Sequence, residues 1–343
     1  MTADLAFPTS LPEFQRLFPD DAACAAYLYG VRWRDGFVCP TCSARGEPYR
    51  FDAKPQLLRC RACKRNTSVT VGTVMERTHS DLSTWFWGAY LVSSLTPGMS
   101  AVQFQRQLGL GRYETAFQIL HKLRAGMVRS GRDRIGTGNA KDHVEIDETN
   151  VGGRTRGEGR GVHHQTLVAA AVEVRQRAPK GEAVPSVKEK RRGGRYAGRL
   201  RMEVVPNRSA RSLVSFVKSS VEPGTMIVTD DWSGYDTLND VGYQHLPVAE
   251  RGDPKVAEEY LPIVHLIFSN LKAWLNGVHH GVAPQHLQAY LNEFVFRFNR
   301  RFYPMNAFRS LLGIGGESEA PTYAELYSGD WVHPTTAASG HGC

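Results

Sequence analysis

No apolar run in this chain approaches the roughly 20 residues that a helical membrane span needs; LVAAAV (167–172) is among the longest. The first residues, MTADLAFPTSLPEF, lack a basic start leading into an apolar core. No secretory signal is read there, and a cytoplasmic location is expected. The six cysteines do not read as a disulfide framework, because four of them form two close pairs, a metal spacing that also suits a reducing compartment. There is no internal repeat. One absence is local: residues 263–274, IVHLIFSNLKAW, contain no acidic residue.

What is present is 343 residues, enough for two or three domains, with 41% hydrophobic and 22% charged side chains, as in ordinary globular proteins. The net charge of +8 and pI near 9.2 favour an anionic partner, nucleic acid first. Residues 177–201 concentrate that charge. Nine Lys or Arg stand against two Glu, a local net of +7. Their Pro and Gly read as a solvated loop, placed where it can grip a phosphate backbone.

Residues 1–35 read as a short helical segment, and residues 36–74 as short extended pieces around the paired cysteines. SDLSTWFWGAYLVSSL is a strongly apolar helix capped by Ser80 or Asp81. Within residues 80–130, MSAVQFQRQLGLGRYETAFQILHKLRAGM reads as a helix, a turn at 108–110 and a second helix from about Arg112. That is the pattern of a helix-turn-helix or of a plain helical hairpin. Val102, Phe104, Ala116 and Leu120 are its expected core, and Gln103, Gln105, Arg106, Arg112 and Lys122 its polar face. Residues 141–305 alternate strand and helix patterns, an α/β layout. The HH pair at 279–280 falls in an expected inter-helix loop, and residues 306–343 read as a loosely ordered tail.

Cys39-Pro-Thr-Cys42 and Cys60-Arg-Ala-Cys63, with 17 residues between them, are spaced as the two knuckles of a zinc ribbon. Four thiolates leave no open coordination position, so the zinc expected here is structural. Cys24 and Cys343 are expected to be free thiols. In HVEIDETN, alternation puts Val144 and Ile146 on one strand face and Glu145 and Asp147 on the other. MIVTD runs as a strand into Asp230. Aspartates on neighbouring strands can hold a pair of Mg²⁺ ions for phosphoryl displacement, or can be two ordinary turn residues.

With these residues in hand, the chain resembles the zinc-ribbon insertion-sequence transposases with a DDE-type, ribonuclease H-like core (insertion-sequence family fifteen-ninety-five). The likeness is carried by the Cys39–Cys63 ribbon, AVQFQRQLGLGRYETAFQILHKLR, VEIDETNVGG, IVTDDWSGY and SNLKAWLNGVHHGVAPQHLQAYLNEFVFRFNRR, and spans nearly all of residues 15–305. It implies a ribonuclease H-like α/β core behind a zinc ribbon and a helical DNA-binding region. The first two acids of the family's triad fall on Asp147 and Asp230, the latter in preference to Asp231, which looks like part of the turn before Trp232. The family's third carboxylate comes about 35 residues later, with a basic residue seven further on. Here those places hold His265 and Lys272, which share one helix face.

The resemblance therefore implies catalytic Asp147, Asp230, His265 and Lys272, the first three holding two Mg²⁺ or Mn²⁺ ions. An imidazole suits Mn²⁺ better than Mg²⁺. Other readings stay open: a core histidine at 265, with Glu258 or Glu259 as ligand, or Asn270, which points to a different face. The implied partners are double-stranded DNA, both terminal inverted repeats and target, and a second copy of the chain in at least a dimer. A DNA-binding relic without catalysis and a stand-alone metal-dependent nuclease are the rival functions.

Overall fold

The computed structural model describes residues 8–128, 133–136, 142–152, 165–176, 194–249, 259–315 and 325. The chain divides into two compact units: Met1–Ser130 with Arg300–Thr335, and Gly131–Asn299 with Thr336–Cys343. Among the described residues no helix is long and apolar enough to cross a membrane.

The first unit opens with two helices, α1 (Leu11–Leu17) and α2 (Asp21–Arg32), where the sequence pattern suggests one. Pro19 breaks the run, and Asp20 recaps it by accepting the Ala23 N–H at 2.9 Å. Three short antiparallel strands follow, β1 (Tyr49–Arg50), β2 (Leu57–Arg59) and β3 (Asn66–Ser68), in that spatial order. Helix α3 (Leu82–Ser94) starts after Asp81, as expected, but the Asp81 side chain makes no capping bond. The carboxylate of Asp21 does so from 61 residues away, accepting the N–H groups of Leu82 and Ser83 at 3.1 and 2.9 Å.

Helices α4 (Ala101–Gln107) and α5 (Tyr113–Ala125) are joined by a turn whose Gly109 adopts φ 61°, a conformation natural to glycine. Phe104, Ala116 and Leu120 are buried as expected, whereas Val102 is exposed and does not join that core. A further correction falls at the end of this unit. Residues Pro304–Gly315, assigned largely to a loose tail, form a helix, here α6, that packs on α3. Its Phe308 is fully buried, with ring centroids 5.6–6.4 Å from Phe18, Tyr27, Phe86 and Tyr90 and 5.9 Å from Phe14.

The second unit is built on five strands: β4 (His143–Val151), β5 (Thr166–Gln176), β6 (Arg195–Val204), β7 (Met226–Asp230) and β8 (Gln244–Val248). Their order is β6-β5-β4-β7-β8. The β4–β5 and β5–β6 pairs are antiparallel, the β4–β7 and β7–β8 pairs parallel. Both faces are covered. On one, Ala170, Val172, Leu200 and Met202 pack with α7 (Pro262–His279) and α8 (Leu287–Asn299). On the other, Val144, Ile146, Ala169 and Ala171 pack with α9 (Ala210–Ser220) and the 3-10 turn Ser233–Leu238. Burial on both sides explains why β5 reads as an unbroken apolar run. A mixed sheet of this order, clad by helices on both faces, is the ribonuclease H-like α/β fold.

Two further differences concern loops. Of the basic stretch 177–201, residues 177–193 lie outside the described residues, while Arg195, Arg199 and Arg201 belong to strand β6. His279 is not in a loop: it ends α7, and His280 caps that helix at φ 56°.

Candidate functional site

In the ribbon, each Cys-x-x-Cys pair wraps into the same knuckle. The N–H of Ser43 donates to Cys39 O at 2.9 Å and that of Lys64 to Cys60 O at 3.1 Å, with φ of 57° and 61° at those two residues. Repeating the turn brings the four sulfurs together: Cys39 and Cys63 are 3.8 Å apart, as are Cys42 and Cys60, and all four lie within 4.8 Å of one another. Zn–S bonds of about 2.3 Å in a tetrahedron require edges of about 3.8 Å, so the donor set fits zinc. The surroundings are cationic. Arg61 and Lys64 lie 4.3 and 5.3 Å from the Tyr49 ring centroid, and Arg50 lies 4.2 Å from that of Tyr29.

The other constellation lies in the second unit, where β4 meets α7. Alternation along β4 sets Glu145, Asp147 and Thr149 on one face, and each receives a polar group from α7. Glu145 Oε2 accepts the N–H groups of Ile263 and Val264 at 2.9 and 2.8 Å. Asp147 Oδ2 lies 3.0 Å from His265 Nε2. Thr149 Oγ1 accepts from Lys272 Nζ at 2.7 Å. The helix cannot cap itself: Leu261 offers no side-chain acceptor and the first turn has no acid. Glu145 is fully buried, and burial lifts its carboxyl to about 7 against the pull of the Val264 and Ile263 N–H groups.

Asp230 arrives from the neighbouring strand. Parallel pairing matches Val144 with Ile227 and Glu145 with Val228, so β4 and β7 run side by side toward Asp147 and Asp230, whose charges both act on Glu148 and Tyr235. Asp230 is the last residue of β7 and its Oδ1 accepts the Trp232 N–H at 3.3 Å, while Asp231 is exposed beyond the strand. On the opposite face of β4, buried Glu148 accepts the Tyr235 hydroxyl at 2.6 Å and pairs with Arg208 Nε at 3.2 Å. Burial raises the Glu148 carboxyl; the Tyr235 bond opposes this, and the charges of Asp147 and Asp230 push the same way as burial.

Asp147, His265 and Lys272 are thus joined along one seam, with Asp230 on the adjoining strand. His265 is half-exposed, which removes it from the core. Among the alternatives, Glu258 lies outside the described residues, and Glu259 and Asn270 are exposed, Glu259 one residue from Tyr260 ahead of α7. Among the described residues, the four cysteines are the group that brings three or more His, Cys, Asp or Glu ligand atoms within 4.8 Å. The sequence reading missed Glu145, Thr149, Glu148 and Tyr235. The signal for the first was available: an acid in step with Asp147, and a later helix without a cap.

Comparison with known proteins agrees with this layout. Residues 139–299 match the ISXO2-like transposase domain and residues 19–66 the transposase zinc-ribbon domain. An uncharacterized protein in transposable element ISH50 of Halobacterium salinarum is 24% identical over 294 residues, 82% of this chain and 92% of the relative. An uncharacterized transposase-like protein of Haemophilus influenzae is 25% identical over 96 residues, 28% of this chain and 77% of the relative. No solved structure matches the chain. The four gathered thiolates and the strand-and-helix core behind them thus lie within a transposase zinc-ribbon domain, residues 19–66, and an ISXO2-like transposase domain, residues 139–299.

Proposed function

We propose that the protein is an insertion-sequence transposase that binds terminal inverted repeats, cuts the element's ends and joins them to target double-stranded DNA. The observation that supports this reading is the contact of Asp147 with His265 at 3.0 Å, beside a parallel strand, β7, that ends at Asp230, with both aspartates acting on Glu148 and Tyr235. Donors of this kind suit a divalent cation. The Asp147 carboxylate and the His265 imidazole, 3.0 Å apart as a hydrogen-bonded pair, are donor types that such an ion takes. Two carboxylates and an imidazole favour Mn²⁺ over Mg²⁺. When bound, such ions supply an activated water or 3′-hydroxyl and neutralise the leaving oxygen.

The chain's own groups do the rest. Asp147 and Asp230 supply charge, His265 an imidazole nitrogen, and exposed Lys272 a cation for a substrate phosphate. The ribbon's cationic face and the exposed Gln103, Arg106 and Arg112 of the helix pair supply contacts to DNA. Joining two ends calls for at least a dimer on DNA. The reading is tested by strand transfer with the element's own ends in Mn²⁺ or Mg²⁺. Joined product that disappears in Asp147→Ala, with DNA binding retained, supports it. Cleavage without joining marks a nuclease, and binding alone a relic, the reading that the imidazole in the third carboxylate's place favours.

A further inference from the structure

Glu145 takes no part in the chemistry outlined above, yet it is a fully buried carboxylate two residues from Asp147 on the same face of β4. Helix α7 begins with Pro262, which has no N–H to offer, and the next two N–H groups both go to Glu145 Oε2. His265 follows immediately and meets Asp147 at 3.0 Å. The same strand and helix are therefore tied at successive points, Glu145 to the first turn and Asp147 to the second. Pinning two N–H vectors with one oxygen fixes both the axial position of the helix and its rotation. A rotation of one residue, about 100°, would carry His265 off the seam.

We propose that Glu145 is a positioning residue of the candidate active site: by capping the first turn of α7 from strand β4, it sets His265 against Asp147. This rests on the reading of Asp147, Asp230 and His265 as a divalent-metal site. Its test uses the full chain, Mn²⁺ binding followed by electron paramagnetic resonance, and end cleavage in Mn²⁺. Amide exchange at Ile263 and Val264 reports the cap itself.

Glu145→Gln keeps an oxygen at the same reach. It is expected to hold slow exchange at both amides and to bind Mn²⁺ within about threefold of the parent. Glu145→Ala, and Glu145→Asp with its carboxylate one methylene short, are expected to speed exchange and weaken Mn²⁺ about tenfold or more, as loss of a ligand-orienting group does. Leu213→Ala, which opens the core on the other face of the sheet, controls for lost stability and should leave Mn²⁺ affinity unchanged.

Parental Mn²⁺ affinity in a folded Glu145→Asp overturns the proposal, as does a Glu145→Gln as damaged as Glu145→Ala. If Ala does not fold, the Gln and Asp pair decides alone. A parent chain that neither binds Mn²⁺ nor cleaves refutes the metal-site reading instead, so the two failures are distinguishable.

Discussion

Replacing Phe308 by alanine tests the architecture where it departs furthest from the sequence pattern. The ring is 0% exposed and meets five aromatic neighbours, four from α1, α2 and α3 and Phe18 just past the end of α1. A phenylalanine buries roughly 200 Å², worth about 5 kcal/mol at about 25 cal/mol per Å² as an upper bound. Measured Phe→Ala losses in cores run about 3–5 kcal/mol, cavity included, so about 4 kcal/mol is expected. For a unit of this size that lowers Tm by about 8–16 °C. The assay is thermal unfolding followed by near-ultraviolet circular dichroism, which reports the packed aromatic cluster, in the presence of zinc. Phe308→Leu, which refills part of the space, should lose about 1–2 kcal/mol. A Phe308→Ala protein that melts within about 2 °C of the parent, with an unchanged aromatic spectrum, would refute the placement of α6 in this core.

Purified protein should carry about one zinc ion per chain; Cys60→Ser or a strong chelator should remove it and unfold the ribbon, forfeiting binding energy on the order of 10 kcal/mol, with metal content and melting read together. Glu173, buried on β5, accepts the N–H groups of Arg199 and Gly136 and pairs with Arg175 and Arg199 at 2.7 and 2.9 Å. Burial alone would raise its carboxyl, but these partners hold it below the ordinary 4.5. A depressed carboxyl contributes stability that is present above 4.5 and lost as pH falls through the folded value. Glu173→Gln should therefore cost about 2 kcal/mol at pH 7 and flatten the acid limb of a stability–pH curve. Gly198→Ala should disturb the same network, since a Cβ there would stand 2.6 Å from Glu173 Oε2 and 2.8 Å from Glu173 Cβ; a loss of about 1–3 kcal/mol in denaturant melts is expected, and an unaltered midpoint would contradict the packing.

The features legible in the sequence are those encoded locally. The thiolate knuckles need only two Cys-x-x-Cys spacings, and the helix pair around Gly109 only its apolar period and a glycine. Asp147 is visible because β4 alternates around it. The spacing that the resemblance implies leads from Asp230 to His265 and Lys272, and along α7 these two side chains meet Asp147 and Thr149 on β4. What escaped was encoded at a distance. The first turn of α7 finds its acceptor 118 residues earlier, and that of α3 finds Asp21 61 residues earlier, so no window of sequence contains both partners. Alternation also misled about burial: Glu145 sits in the polar phase of β4, yet helices clad both faces of the sheet, and the polar phase is buried too. The segment MNAFRSLL was lost because the Pro, Gly and Thr around it outweighed a short helical period.

Phe14 and Phe308, whose rings lie 5.9 Å apart, are separated by 294 residues of chain (308 − 14). During synthesis the aromatic cluster stays open on one side until α6 leaves the ribosome, after every strand and helix of the second unit. Closing so long a loop is slow, and until it closes the faces of α1, α2 and α3 stand exposed to association. A nascent protein stalled before residue 304 would present a complete strand-and-helix sheet and an incomplete first unit.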